Sequence, residues 1–142
     1  ISTIASKLDF PIILLGGRDE KKNGDEIKQL SKRDGILNLC GQVSINQSAY
    51  LIKHSNYLFT NDTGLMHIGS AFNKKIISFW GCTKPDLGFY PYVDASNSLT
   101  IISEKSERQC SKHGASCRFT DDGCVKEIDS QEMINRIEKF IS

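Results

Sequence analysis

The stretch Tyr57-Leu58-Phe59-Thr60-Asn61-Asp62-Thr63-Gly64-Leu65-Met66-His67 decides how this chain folds. Its first four residues are apolar, aromatic or β-branched and read as a strand. Asn61, Asp62, Thr63 and Gly64 follow at once, all residue types that favour turns and helix starts. Leu65, Ile68 and Phe72 then recur at helical spacing, and Ile76-Ile77-Ser78-Phe79-Trp80 returns as a second strand. Two antiparallel strands need only a tight turn, whereas parallel strands need a crossover, usually a helix. Strand, short loop, helix, strand is therefore the signature of a right-handed crossover in a parallel sheet.

The same alternation extends in both directions. Upstream, Pro11-Ile12-Ile13-Leu14-Leu15 is a continuous apolar run ending in Gly16-Gly17, the pattern of a strand covered on both faces. Ile27 and Leu30 mark a helix ending near Gly35, and Ile36-Leu37-Asn38-Leu39 forms a short strand closing on Cys40-Gly41. Ser44 and Gln47 make a capping box for a helix carrying Ile45, Ala49 and Ile52. At the start, Ile4 and Leu8 lie on one face of a helix. Downstream, Leu99-Thr100-Ile101-Ile102 adds a late strand. A final helix has Asp129 or Ser130 as N-cap and Met133, Ile134, Ile137, Phe140 and Ile141 as its stripe. The fold class is α/β: a Rossmann-like, mostly parallel sheet with helices on both faces, read as a single domain over residues 1–142.

The 142 residues suffice for a core without staples, since a chain of this size buries roughly 70% of its unfolded surface. With 25% charged residues and a net charge of +1, no strongly basic face is implied, so nucleic acid is not expected as a partner. No run of about 18 apolar residues is present to span a membrane. The opening residues carry neither an initiator Met nor a signal sequence, so the chain is expected to lie inside a longer, cytoplasmic protein.

In an open parallel sheet, ligands bind beyond the carboxyl ends of the strands. Gly16–Glu20, Gly41–Ser44 and Asn61–His67 all fall there. The third block is the most informative. Free N–H groups at a helix start near Thr63-Gly64 favour an anion, and Gly64 permits its close approach. Thr63 adds a hydroxyl, and His67, one turn on, shares their face. The helix dipole contributes about 0.3–1 kcal/mol, less than hydrogen bonds to a charged group at about 1.5–3 kcal/mol each. A plainer reading has Asp62 and Thr63 capping the helix and His67 as a surface side chain. In that reading Gly16-Gly17 is a turn, Glu20 a solvated acid and Val43 loop packing. Equally, a carboxylate at a strand end can hold ribose hydroxyls.

The block Asn61-Asp62-Thr63-Gly64-Leu65-Met66-His67-Ile68-Gly69-Ser70-Ala71-Phe72, followed by Ile76-Ile77-Ser78-Phe79-Trp80-Gly81-Cys82-Thr83-Lys84-Pro85, resembles glycosyltransferase family 9. That family includes the ADP-heptose:lipopolysaccharide heptosyltransferases. Trp80-Gly81-Cys82-Thr83 departs conservatively from the family's Phe-Gly-Pro-Thr. The resemblance implies the C-terminal, donor-binding half of a two-domain GT-B enzyme that transfers heptose from ADP-heptose to lipopolysaccharide core with inversion. Carried over by position, Glu20 would hold the ribose and Val43 would line the adenine. Asp62, Thr63, Gly64 and His67 would surround the diphosphate and sugar, with His67 stabilising the departing phosphate. The catalytic base and the lipid-linked oligosaccharide acceptor would belong to an N-terminal domain outside this chain, leaving these residues inactive alone. No cofactor is implied, because the ADP-sugar is a substrate. The implied location is the cytoplasm, or peripherally the inner face of the inner membrane.

The five cysteines fall into two groups. Cys40 and Cys82 end apolar runs and read as small buried hydrophobes. Cys110, His113, Cys117 and Cys124 have a spacing that can supply four zinc ligands. The other readings are a packed loop or a disulfide, and the resemblance implies no metal. Besides a donor-binding half, two other functions stand: a non-catalytic nucleotide- or phosphate-binding module, and a zinc-stabilised interaction domain. A transferase of a different nucleotide sugar is a variant of the first.

Overall fold

The computed structural model describes residues 2–142 except 106–108, 112, 113, 115 and 122. The chain forms two compact units, residues 1–48 and 49–142. Among the described residues, no helix is long and apolar enough to cross a membrane.

The first unit contains α1 (Ser2–Lys7), β1 (Ile12–Leu14), α2 (Lys21–Ser31), β2 (Ile36–Asn38) and the start of α3 (Ile45–His54). Strands β1 and β2 pair in parallel, Ile12 opposite Ile36 and Leu14 opposite Asn38. The capping box forms as its spacing dictates: Ser44 N–H donates to Gln47 Oε1 at 2.8 Å, and Gln47 N–H donates back to Ser44 Oγ at 3.3 Å. Ile4 and Leu8 are buried on one face, as their spacing predicts.

Helix α2 lies where Ile27 and Leu30 place it, but those residues are not its buried face. Leu30 is 57% exposed, and the buried positions are Gly24 and Ser31. The reason is Asn38. Its Nδ2 donates to Lys21 O at 3.0 Å and to Asp25 Oδ1 at 2.8 Å, while its Oδ1 accepts from Cys40 N–H at 3.0 Å. Gly24 packs against that amide, so closely that a methyl there would sit 2.5 Å from Asn38 Oδ1. A polar contact, rather than an apolar stripe, thus seats α2 on the end of β2. The Lys21 ammonium, and after it the Asn38 amide, hold the Asp25 carboxyl below its ordinary range. Arg33 fastens the other end, donating to Ala5 O at 3.1 Å and to Phe10 O at 3.0 Å.

The second unit contains β3 (Tyr57–Asn61), α4 (Gly64–Ala71), β4 (Lys75–Trp80), β5 (Ser98–Ile102) and α5 (Ser130–Ile141), with 3-10 turns at Pro85–Leu87, Ala95–Asn97 and Cys124–Glu127. All pairing is parallel, in the order β3-β4-β5. In β4, every residue from Ile76 to Trp80 is buried. Full burial of side chains of this size contributes about 1.5–3 kcal/mol each. Trp80 also needs a partner for its indole N–H and donates to Ser78 Oγ at 2.9 Å.

Helix α4 is fully buried at Met66 and Gly69, whereas Leu65 and Ile68 are half-buried and Phe72 is exposed. Gly69 sets the phase. A side chain there would collide with Leu58 and press on Ile76, so its absence lets the helix settle onto the sheet. Asp129 caps α5, its Oδ1 accepting from Glu132 N–H at 2.7 Å, and Ile134 and Ile137 are buried.

Replacing Asn38 with Ala removes three hydrogen bonds and leaves the Cys40 N–H without this acceptor. A loss of about 2–3 kcal/mol is expected in urea unfolding. Gly24→Ala should also destabilise, although Ala favours an isolated helix by about 1 kcal/mol over Gly.

Candidate functional site

At the carboxyl end of β1, the backbone continues alongside β2: Leu39 N–H donates to Leu14 O and Gly41 N–H to Gly16 O, both at 2.9 Å. Gly16, Gly17 and Glu20 form one feature there. A methyl on Gly16 would approach Glu20 Cβ to 3.0 Å, and one on Gly17 would approach Glu20 Oε2 to 2.9 Å. The two glycines therefore leave room for the Glu20 side chain to fold back over the strand end. Glu20 occupies the N-cap position of α2 without making a side-chain cap bond. Its exposed carboxylate is thus held by packing while its oxygens stay available. Gly41, at φ +70°, brings the second loop against Arg18, where a methyl would lie 2.8 Å from Arg18 Cα. Arg18 is exposed. Its position against this loop was not read from the sequence, because a lone cation after a Gly-Gly turn carries no distinguishing pattern. Val43 follows two residues later and is half-buried.

In the second unit, β3 ends at Asn61 and α4 begins at Gly64. Thr63 is the N-cap by backbone, yet its side chain makes no cap bond. Its hydroxyl lies 3.2 Å from Thr60 Oγ1 instead. The side-chain cap expected from Thr63 is therefore absent, and its hydroxyl does not occupy the first N–H groups of the helix. A methyl on Gly64 would meet nothing within 4 Å. Thr63, Gly64 and His67 are exposed, and Asp62 is half-buried. Among the described residues, none hydrogen-bonds to the Asp62 carboxylate or the His67 ring. The block presents donors, a carboxylate and an imidazole around open space at a strand end. Hollows elsewhere in this unit, one of about 340 Å³ beside Glu127 and Met133 and one of about 560 Å³ beside Lys84 and Tyr90, include no residue of this block.

The same unit contains a group of sulfurs. Cys82, Cys110, Cys117 and Cys124 have their Sγ atoms within 4.8 Å of one another. Cys124 lies 4.0 Å from Cys82, 3.5 Å from Cys110 and 3.1 Å from Cys117. Cys82 is thus not simply a small hydrophobe at a strand end. Cys40 does fit that reading: it is buried and remote from this group in sequence, and its burial pushes its thiol pKa up. His113 lies outside the described residues. Burial raises the Cys124 thiol, whereas the Cys124 hydrogen bond and the Phe119 N–H favour the thiolate of Cys117.

Residues 2–120 match the model of glycosyltransferase family 9 (heptosyltransferase). Lipooligosaccharide heptosyltransferase 2 of Haemophilus influenzae is 34% identical over 96 residues, which cover 66% of this chain and 27% of that protein. The lipooligosaccharide heptosyltransferase 2 of Campylobacter jejuni strain NCTC 11168 is 32% identical over 133 residues, covering 92% of this chain and 40% of its relative. Among solved structures, Escherichia coli ADP-heptose LPS heptosyltransferase II superposes with a TM-score of 0.75 at 20% identity, over 99% of this chain and 40% of that one. That likeness shows the fold. This chain therefore spans well under half the length of these relatives.

The two loop glycines should respond differently to a methyl group. Gly41→Ala imposes a left-handed conformation costing about 1–2 kcal/mol and a clash with Arg18, so its melting temperature should fall by several degrees. Gly64→Ala adds a methyl in open space and should melt at or above the wild-type temperature.

Proposed function

Since this chain belongs to glycosyltransferase family 9, we propose that it is the donor-binding part of an inverting heptosyltransferase that uses ADP-heptose and acts in lipopolysaccharide core assembly. The observation that carries this reading is the α4 N-terminus. It has no side-chain cap, it is open at Gly64, and Asp62 and His67 flank it at a strand end. Free N–H groups with a helix dipole behind them make an anion site. The heptosyltransferase names of the relatives, and ADP-heptose in the name of the Escherichia coli enzyme of like fold, support reading that anion as a nucleoside diphosphate joined to heptose.

In this proposal Thr63, the Gly64 N–H region and His67 face the diphosphate. A carboxylate beside a diphosphate repels it, so Asp62 serves better as an acceptor for sugar hydroxyls. Glu20 grips the ribose hydroxyls, and Val43 lines the adenine. An acceptor hydroxyl attacks the anomeric carbon as the bond to the diphosphate breaks, and its proton passes to a base. That base is assigned to the part of the relatives' fold that this chain does not match. The diphosphate gains charge as it leaves, so donors already aimed at it lower the barrier without reorganising. The transfer itself calls for no cofactor. The acceptor is a lipid-linked oligosaccharide, which places the reaction at the cytoplasmic face of the inner membrane.

Calorimetry with a panel of nucleoside diphosphates and their sugars tests the donor. ADP and ADP-heptose should bind more tightly than UDP or GDP, and equal affinity for all three would remove the adenine assignment. Gly64→Ala should weaken ADP binding severalfold while remaining fully folded. In the full-length enzyme, which carries the base, Glu20→Ala should chiefly raise the donor KM, because ribose contacts exist before and during reaction. His67→Ala should chiefly lower kcat, by the equivalent of about 2–4 kcal/mol. If His67→Ala keeps kcat within about threefold of wild type, under about 1 kcal/mol, His67 is only a surface residue.

A further inference from the structure

We propose that Cys82, Cys110, Cys117 and Cys124 form a structural zinc site that clasps the loop after β5 to the end of β4. The geometry is that of four ligands around one ion. With Zn–S bonds of about 2.3 Å, the sulfurs of a regular tetrahedron stand about 3.8 Å apart. Here Cys124 is 3.1, 3.5 and 4.0 Å from the other three, and no pair exceeds 4.8 Å. Shifts of a few tenths of an ångström, up to about one at the widest pair, bring all four into a common shell. A disulfide would use two sulfurs and leave the other two packed together as thiols. All four are free cysteines.

The backbone around the sulfurs is built to hold them. A methyl on Gly81 would lie 2.7 Å from Val125 N, so the glycine lets the segments bearing Cys82 and Cys124 touch. Cys110 N–H donates to Cys82 O at 2.9 Å, and Arg118 Nε donates to Cys110 O at 2.8 Å. Phe119 N–H and Thr120 Oγ1 point at Cys117 Sγ, 3.5 and 3.7 Å away. Donors to the ligand atoms are the second shell that orients metal ligands and disperses thiolate charge.

The loop also needs such a clasp. Between β5 and the turn starting at Cys124, no helix or strand occurs among the described residues. Yet Cys110 and Cys124 are only 4% and 0% exposed. A loop of this length without structure of its own is uncommon in a compact domain. Four protein ligands leave no open position, so the ion is structural and takes no part in the transfer. On binding, four S–Zn bonds form and the thiol protons pass to solvent, with no change of oxidation state.

The protein, purified under reducing conditions without added metal, should contain one zinc per chain by elemental analysis. Exchange into cobalt(II) should give the intense visible absorption of a tetrahedral tetrathiolate centre. Both measurements use the wild-type protein and stand even if variants fail to fold. Cys82→Ser and Cys124→Ser should lose the metal, while Cys40→Ser and His113→Ala should retain it. Absence of metal, an intact mass showing a disulfide, or weak octahedral cobalt absorption would overturn the proposal. So would metal that depends on His113 and not on Cys82.

Discussion

Parallel pairing on both sides of β4 is the constraint from which the rest of the second unit follows. A parallel neighbour cannot be reached by a tight turn, so β3 must pass through α4 before the chain returns as β4. The central strand is then covered on both faces, and Ile76, Ile77, Phe79 and Trp80 are apolar throughout rather than alternating. Trp80 and Ser78, the two with polar groups, satisfy each other. Because β3 and β4 run the same way, Asn61 stands opposite Phe79. The Asp62–His67 block and the Gly81–Pro85 segment consequently leave the sheet at the same edge.

The order of elements was legible because it rests on long-range periodicity: every strand and helix expected from the sequence is present, although α2 stops at Ser31 rather than near Gly35. The facing was legible for α1 and α5, but not for α2 and only in part for α4. In α4, Leu65, Ile68 and Phe72 are a valid helical stripe, but the fully buried positions are Met66 and Gly69, where the missing side chain leaves room for Leu58. In α2, a hydropathy pattern cannot reveal that Asn38, distant in sequence, will make the decisive contact through its amide. Both errors have one physical source. Periodicity reports what a helix can bury, while its partner decides what it does bury.

Site residues followed the same division. The position of Asp62, Thr63, Gly64 and His67 between a strand end and a helix start was legible because both are local features. That Thr63 would bond to Thr60 rather than cap its own helix was not, since both choices satisfy a hydroxyl equally well. The place of Cys82 beside the other three sulfurs was not legible for a different reason. Metal motifs are recognised by short spacing, and Cys82 lies far upstream of Cys110 in sequence; only the sheet brings them together. His113, the fourth residue of the short-spaced pattern, lies outside the described residues.

The strand ends of the second unit then divide their tasks. Beyond β3, the backbone donors are left open, which costs stability unless water or a ligand satisfies them. Beyond β4, the chain is instead tied down: Ser103 N–H donates to Trp80 O, and the buried Lys84 donates to Ser103 O, each at 2.9 Å. These bonds and the sulfur group hold the segment that leaves β4 at the same end of the sheet where the Asp62–His67 block leaves β3. An anion site works by preorganisation, because donors that must first be ordered spend part of the binding energy on ordering. Unsatisfied N–H groups at α4 are therefore best placed beside a segment that cannot relax to fill them. The loop of Cys110–Cys124 contributes to that rigidity by packing its sulfurs against Cys82.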